Sequence, residues 1–116
     1  MPNPGDVVVV DFPGAQGVKR RPAVIISSAT YLRERPDMII GLLTTNVGAA
    51  VVSSDYLLAE WTLAGLTQPS AFRTYLVTLK QSDIRRVAGS LSPHDWLQVQ
   101  QRISTALALL PPISTP

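Results

Sequence analysis

Six consecutive apolar residues, Met38-Ile39-Ile40-Gly41-Leu42-Leu43, constrain the fold of this chain more than any other segment. Successive side chains of a strand point to opposite faces, so a strand in a half-exposed sheet alternates apolar and polar residues. An unbroken run predicts a strand buried on both faces, with a barrel interior on one side and a helix or a partner on the other.

The flanking segments supply short strands to pair with it. Asn3-Pro4-Gly5-Asp6 is turn chemistry, and Val7 to Phe12 is a β-branched strand. Pro13 to Val18 carries two glycines and reads as a flexible loop, and Ala23 to Ser27 as the second strand. Ala29 to Arg35 has the makings of a short helix stopped by Pro36. Beyond the apolar run, Ser54 to Trp61 is strand-like and Ala64 to Pro69 is a turn. Phe72-Arg73-Thr74, Leu76 to Leu79 and Arg86 to Gly89 complete the strands.

Ser92 opens the one long helix as N-cap, with Pro93 at the first helical position and Asp95 completing an approximate capping box. Trp96, Val99, Ile103, Ala106 and Leu110 give it an apolar face, and Pro111-Pro112 end it. Six or seven short strands and a closing helix predict a mainly β small barrel with a C-terminal helix. Its 116 residues form a single domain, core about 4–110, with residues 111–116 as a disordered tail.

An apolar fraction of 46% against 16% charged belongs to a folded globular chain. The absence of cysteine excludes disulfides, thiolate zinc sites and thiol catalysis, and suits a reducing cytoplasm. Neither a signal peptide nor a run of membrane-spanning length is apparent, so a soluble, cytoplasmic protein is expected. Net charge is only +2, so a phosphate-binding surface has to come from clustering. Cations do cluster, most densely at Lys19-Arg20-Arg21-Pro22, although such clusters in many proteins are simply solvated loop ends.

Common catalytic schemes lack their parts. The single histidine, His94, falls in the first turn of the long helix, where an imidazole is usually a surface residue, so no Ser-His-Asp triad assembles. The carboxylates are scattered singly, without the clusters that hold Mg²⁺ in two-metal nucleases, and no glycine-rich phosphate loop opens a helix. What remains is a reaction without metal or cofactor, or none at all. RNA suits the first, because its own 2′-hydroxyl is the nucleophile. The protein then has only to position the strand, stabilise charge on the phosphate and move protons. Arginine grips phosphate in a bidentate fork, and a hydroxyl from Thr44 or Thr45 suits proton transfer to the leaving 5′-oxygen.

Five segments taken in order resemble the MazF/PemK-type toxins of bacterial toxin–antitoxin modules. They are Gly5 to Phe12; Arg21-Pro22-Ala23-Val24-Ile25-Ile26-Ser27; Ile40 to Thr45; Pro69-Ser70-Ala71-Phe72-Arg73; and Ile84 through Ser92. The resemblance spans about residues 4 to 110. It implies an SH3-like β-barrel with a C-terminal helix and a homodimer. The implied activity is metal-independent, sequence-specific cleavage of single-stranded RNA, as by an mRNA interferase, leaving 2′,3′-cyclic phosphate and 5′-hydroxyl ends. A cognate antitoxin, with an acidic disordered tail, is the implied inhibitor. The family's catalytic arginine and threonine fall on Arg21 and Thr44. Lys19, Arg20, Thr45, Asn46, Arg73 and Tyr75 are the candidate RNA-binding residues, with Phe12, Tyr75 and Trp61 as possible stacking faces. More often such aromatics are core, the reading favoured for Trp61 and Trp96. At Arg73-Thr74-Tyr75-Leu76 the chain departs from the pattern, since Tyr75 stands near the position of an acidic residue in many members. That departure favours the alternative, a barrel that binds RNA or an antitoxin-like peptide and cleaves nothing. The apolar run and the helix face further suggest more apolar surface than one barrel covers, hence a two-fold dimer.

Overall fold

The computed structural model describes residues 2–49 and 52–109. Over these, six strands and two helices follow one another: β1 (Asp6–Gly14), β2 (Gly17–Ile25), α1 (Ala29–Glu34), β3 (Asp37–Thr44), β4 (Tyr56–Leu57), β5 (Ala71–Lys80), β6 (Arg86–Ser90) and α2 (Pro93–Ala106). The strands form one antiparallel sheet in the order β4-β5-β3-β2-β1-β6, curled into a half-barrel with α2 against it. This is the mainly β architecture with a C-terminal helix expected from the sequence. Leu110 and the tail 111–116 lie outside the described residues. None of the described helices is long and apolar enough to cross a membrane.

The β3 run is buried on both faces, as its composition demands. Met38, Ile40 and Leu42 pack with Val8, Val10, Phe12, Ala23, Ile25 and Leu32 of α1 on one face. Leu43 packs with Val7, Val24, Phe72 and Leu58 on the other, beneath Val99 of α2, with Trp61, Trp96 and Ile103 partly buried beside them. Gly41 lets that second layer close up: a Cβ there would stand 2.5 Å from the Phe72 ring. The β3 run is thus covered within one chain, whereas Trp96 and Ile103 of the helix face are only partly buried. Ala106, expected on the buried helix face, is exposed.

Other boundaries also differ from expectation. Pro13 to Val18 is the end of a β-hairpin, with Gly14 paired to Gly17 and only Ala15-Gln16 at the turn. Gly17 supplies the positive φ of 106° that such a tight reversal needs. The basic tetrapeptide therefore lies within β2, whose strand character comes from its ladder with β1. The region Ser54 to Trp61 yields only the two residues of β4. The two segments around Thr74 fuse into one strand, β5. It pairs Leu42 with Arg73 but Gly41 with Leu76, so Thr74 and Tyr75 bulge out of the ladder.

Ser92 caps α2 as expected, accepting a hydrogen bond from the Asp95 N–H at 3.1 Å. The Asp95 carboxylate does something else. It is wholly buried and accepts from the Tyr56 hydroxyl at 2.6 Å and from the N–H groups of Ala59 and Glu60 at 3.0 and 2.8 Å. It fastens the β4 segment to the helix, a tertiary role that replaces the reciprocal half of a capping box. From there the chain runs to Gly65 (φ 79°), where a Cβ would stand 2.1 Å from the Ala88 carbonyl oxygen. The loop after β4 thus lies backbone to backbone on β6.

Candidate functional site

Strand alternation decides where the basic residues go. Along β2, Lys19, Arg21, Ala23 and Ile25 share one face, while Arg20, Pro22 and Val24 share the other. Ala23 and Ile25 belong to the first core and Val24 to the second, so Arg21 and Lys19 extend the first face beyond its apolar end. β3 runs antiparallel beside it, and their ladder ends at the pair Ala23 with Leu42. One two-residue step further along this register sets Arg21 opposite Thr44.

A groove of about 490 Å³ opens at this end of the sheet. Arg21, Thr44, Thr45, Asn46, Lys19, Arg73 and Tyr75 all line it, above a floor that includes Phe12 and Leu42. Seven of the eight residues proposed from the sequence are brought together. The eighth, Arg20, points from the opposite face of β2 and lines a separate cavity. Its Nε lies 3.3 Å from Asp11, a carboxylate also held by Arg85 at 2.8 Å. The hydrogen bonds from Arg85 and then Arg20 keep the Asp11 carboxyl below its ordinary range. His94 is exposed in the first turn of α2, away from the groove.

Three of the groove side chains meet specific neighbours. Thr44 Oγ1 accepts the Asn46 N–H at 3.1 Å, which occupies one lone pair and leaves the hydroxyl proton free to donate. Arg73 faces Asp55, Nε to Oδ1 at 4.0 Å, and the Asp55 side chain is only 5% exposed. Tyr75 meets Phe12 edge to face, ring centroids 5.5 Å apart at 68°. Phe12 itself is buried, so it braces Tyr75 and offers no stacking face of its own. Tyr75, 38% exposed, is the aromatic with a face to give. Trp61 and Trp96 pack against the second core, as expected.

The lining therefore combines three cations, two threonine hydroxyls, two amides and, besides the buried Phe12, one exposed aromatic ring, with no carboxylate among the described residues that line it. That inventory suits a polyanion with unstacked bases: guanidinium forks for phosphate, a hydroxyl donor beside it and a ring for stacking. No trio of His, Asp and Glu side chains poised to hold a metal ion occurs among the described residues. Sequence reasoning missed Asp55 and Phe12 as supports. Asp55 carries no local signal, but the alternation of β1 would have placed Phe12 inside with Val8 and Val10.

Residues 3–107 match the sequence model of the family described as PemK-like, MazF-like toxin of type II toxin–antitoxin system. No curated protein sequence matches the chain. Among solved structures, it is similar to an endoribonuclease in complex with its cognate antitoxin from a mycobacterial species. The TM-score there is 0.78 at 20% identity, covering 97% of this chain and 100% of that one. It is also similar to the MazE–MazF complex of Deinococcus radiodurans, at 0.72 and 20%, covering 95% and 98%. The Mycobacterium tuberculosis toxin MazF-mt6 follows at 0.70 and 18%, covering 87% and 94%. At these identities the likeness is one of fold.

Proposed function

The chain belongs to the PemK-like, MazF-like toxin family of type II toxin–antitoxin systems, and from that premise we propose that it is a sequence-specific endoribonuclease cleaving single-stranded mRNA without a metal ion. The observation that carries this reading is the convergence of Arg21, Thr44, Lys19 and Arg73 on one groove. In the reaction the 2′-oxygen bonds to phosphorus as its proton passes to water, and the phosphorus–5′-oxygen bond breaks. Arg21 stabilises the charge that builds on the phosphoryl oxygens. Thr44 relays a proton from water to the departing 5′-oxygen through its free hydroxyl hydrogen. The products carry 2′,3′-cyclic phosphate and 5′-hydroxyl ends. Incubation with mixed-sequence single-stranded RNA in excess EDTA should release fragments bearing those ends. Cleavage that needs added metal, or fragments with free 3′-hydroxyls, would overturn this chemistry.

A cognate antitoxin is the natural inhibitor in this proposal. An extended acidic segment competes with RNA for Lys19, Arg21 and Arg73, because carboxylates take the same guanidinium geometry as phosphate. Substrate and inhibitor alike place the activity in the cytoplasm. Two copies related by a two-fold axis, the commonest closed assembly, would set their grooves along one longer channel. Sedimentation at micromolar concentration should show twice the 12.5 kDa chain mass. A single-chain species at every concentration would remove the shared channel.

A further inference from the structure

Behind the groove, on the opposite face of β2, lies a second cavity of about 240 Å³. We propose that it is a nucleotide subsite: it takes the base of the RNA nucleotide adjoining the phosphate held at Arg21, with that nucleotide's outer phosphate on Arg20 and Arg86. The inference rests on the RNA-cleavage reading and adds a specificity determinant to it.

Three observations converge. First, Arg21 and Thr45 line both the groove and this cavity. The β2–β3 ladder ends at Ala23 with Leu42, and the two cavities meet beyond it at Arg21 and Thr45. A strand with its phosphate at Arg21 has one neighbour in the groove and room for the other behind it. Second, the register builds a cationic rim there. Val9 pairs with Pro22 on one side and Arg86 on the other, so these three side chains cross one face in a row, with Arg20 beside them. Arg86 has no salt bridge among the described residues, and Arg20 reaches Asp11 only through Nε, leaving its other guanidinium donors for a phosphate. Third, the walls suit a base. Val9, Pro22, Leu66 and Ala88 offer apolar sides, and Thr67 and Gln68 stand at the mouth with donors and acceptors for a base edge. The loop bearing them is pinned by the buried Ser70 hydroxyl, which donates to the Gln68 carbonyl at 3.0 Å.

The test is the cleavage-site profile of a randomised single-stranded RNA pool, read with Gln68→Ala and Arg86→Ala. Both side chains are exposed, so the folded chain should survive. Gln68→Ala should relax base preference about tenfold at one position flanking the cut. Arg86→Ala should lower the slope of log affinity against log salt by about 0.7, one phosphate contact's share on a single strand. Arg33→Ala, on the remote helix α1, should move neither readout. Wild-type cleavage with both variants' profiles and salt slopes superimposed on it overturns the subsite and leaves the cleavage reading intact. If the wild-type chain cleaves nothing, the cleavage reading falls. Binding of an all-deoxy single strand then decides the subsite: an unchanged slope in Arg86→Ala overturns it. Variants that weaken only the binding of an acidic antitoxin peptide would assign the cavity to that partner, and would also overturn it.

Discussion

Arg21→Ala should lower the single-turnover rate of RNA cleavage by about 10²–10³-fold while the melting temperature stays close to that of the parent chain. The first half follows from what a guanidinium does beside a phosphate. As the 2′-oxygen bonds and the 5′-oxygen departs, charge accumulates on the equatorial oxygens, which a planar guanidinium can meet with two parallel donors. The second half follows from position. Arg21 is half-buried, beyond the apolar end of the first core, and forms no salt bridge among the described residues that its removal would break. Arg21→Lys separates charge from geometry: an ammonium keeps the charge and loses the planar fork, so an intermediate rate is expected. Thr44→Ala should cost less than Arg21→Ala, because water can stand in for a hydroxyl relay, and Thr44→Ser should restore most of the loss. Wild-type cleavage rates in both Arg21→Ala and Thr44→Ala would sink the assignment. Growth arrest on induction gives the same answer in cells, since a barrel that only binds should leave growth untouched with or without Arg21.

The parts of this site that were legible in the sequence are those fixed by local pattern. The β-branched run of β1 and the unbroken apolar run of β3 announce strands by composition alone. They place Thr44 at a strand end without any knowledge of the partner strands. The first half of β2 was not legible. Gly17 to Pro22 is glycine, valine and cations, which reads as loop, and it becomes strand through the pairing of Gly14 with Gly17 and onward to Val10 with Arg21. With the strand missed, its alternation was missed too, and Arg20 was grouped with Arg21 although the two point to opposite faces. The bulge at Thr74 and Tyr75 was hidden for a similar reason. It is a property of the β3–β5 register, which no window of single sequence contains. Asp95 shows the converse limit. Three residues after Ser92 it fits a local capping pattern, yet its carboxylate is spent on Tyr56, Ala59 and Glu60, at least thirty-five residues earlier in the chain.

Asp95→Ala should be the most destabilising single substitution outside the apolar core, by about 3–5 kcal/mol. The carboxylate has no solvent exposure and accepts three hydrogen bonds. Its deletion leaves one hydroxyl and two backbone N–H groups facing a cavity. An unsatisfied buried donor costs about 1–3 kcal/mol, and partial entry of water keeps the sum below three full penalties. A domain of this size is stable by only about 5–15 kcal/mol, so the melting temperature should fall by about 10–20 °C. Tyr56→Phe removes one donor and leaves the two backbone bonds, so it should cost about 1 kcal/mol. The pair should be non-additive in a double-mutant cycle, since the hydroxyl has no partner left once Asp95 is gone.

Alkaline titration gives an independent check on the same contact. Burial first, and then the hydrogen bond to Asp95, push the Tyr56 hydroxyl up from 10.0 to about 12. A raised folded value means that the neutral phenol is favoured in the native state. The resulting stabilisation is complete below pH 10 and is lost as the pH climbs through about 12. Asp95→Ala should make that alkaline limb shallower as well as lower the whole curve, since it removes the hydrogen bond and admits water to the hydroxyl, whereas a destabilising substitution remote from Tyr56 would lower the curve without changing its slope. The consequence reaches the second cavity. Asp95 fastens the start of the segment that runs through Gly65 to Leu66, Thr67 and Gln68, so Asp95→Ala should loosen discrimination at the flanking base before it abolishes cleavage. Cleavage-site profiles recorded well below the lowered melting temperature would show this as a broadened preference at that one position. A profile identical to wild type would confine Asp95 to stability.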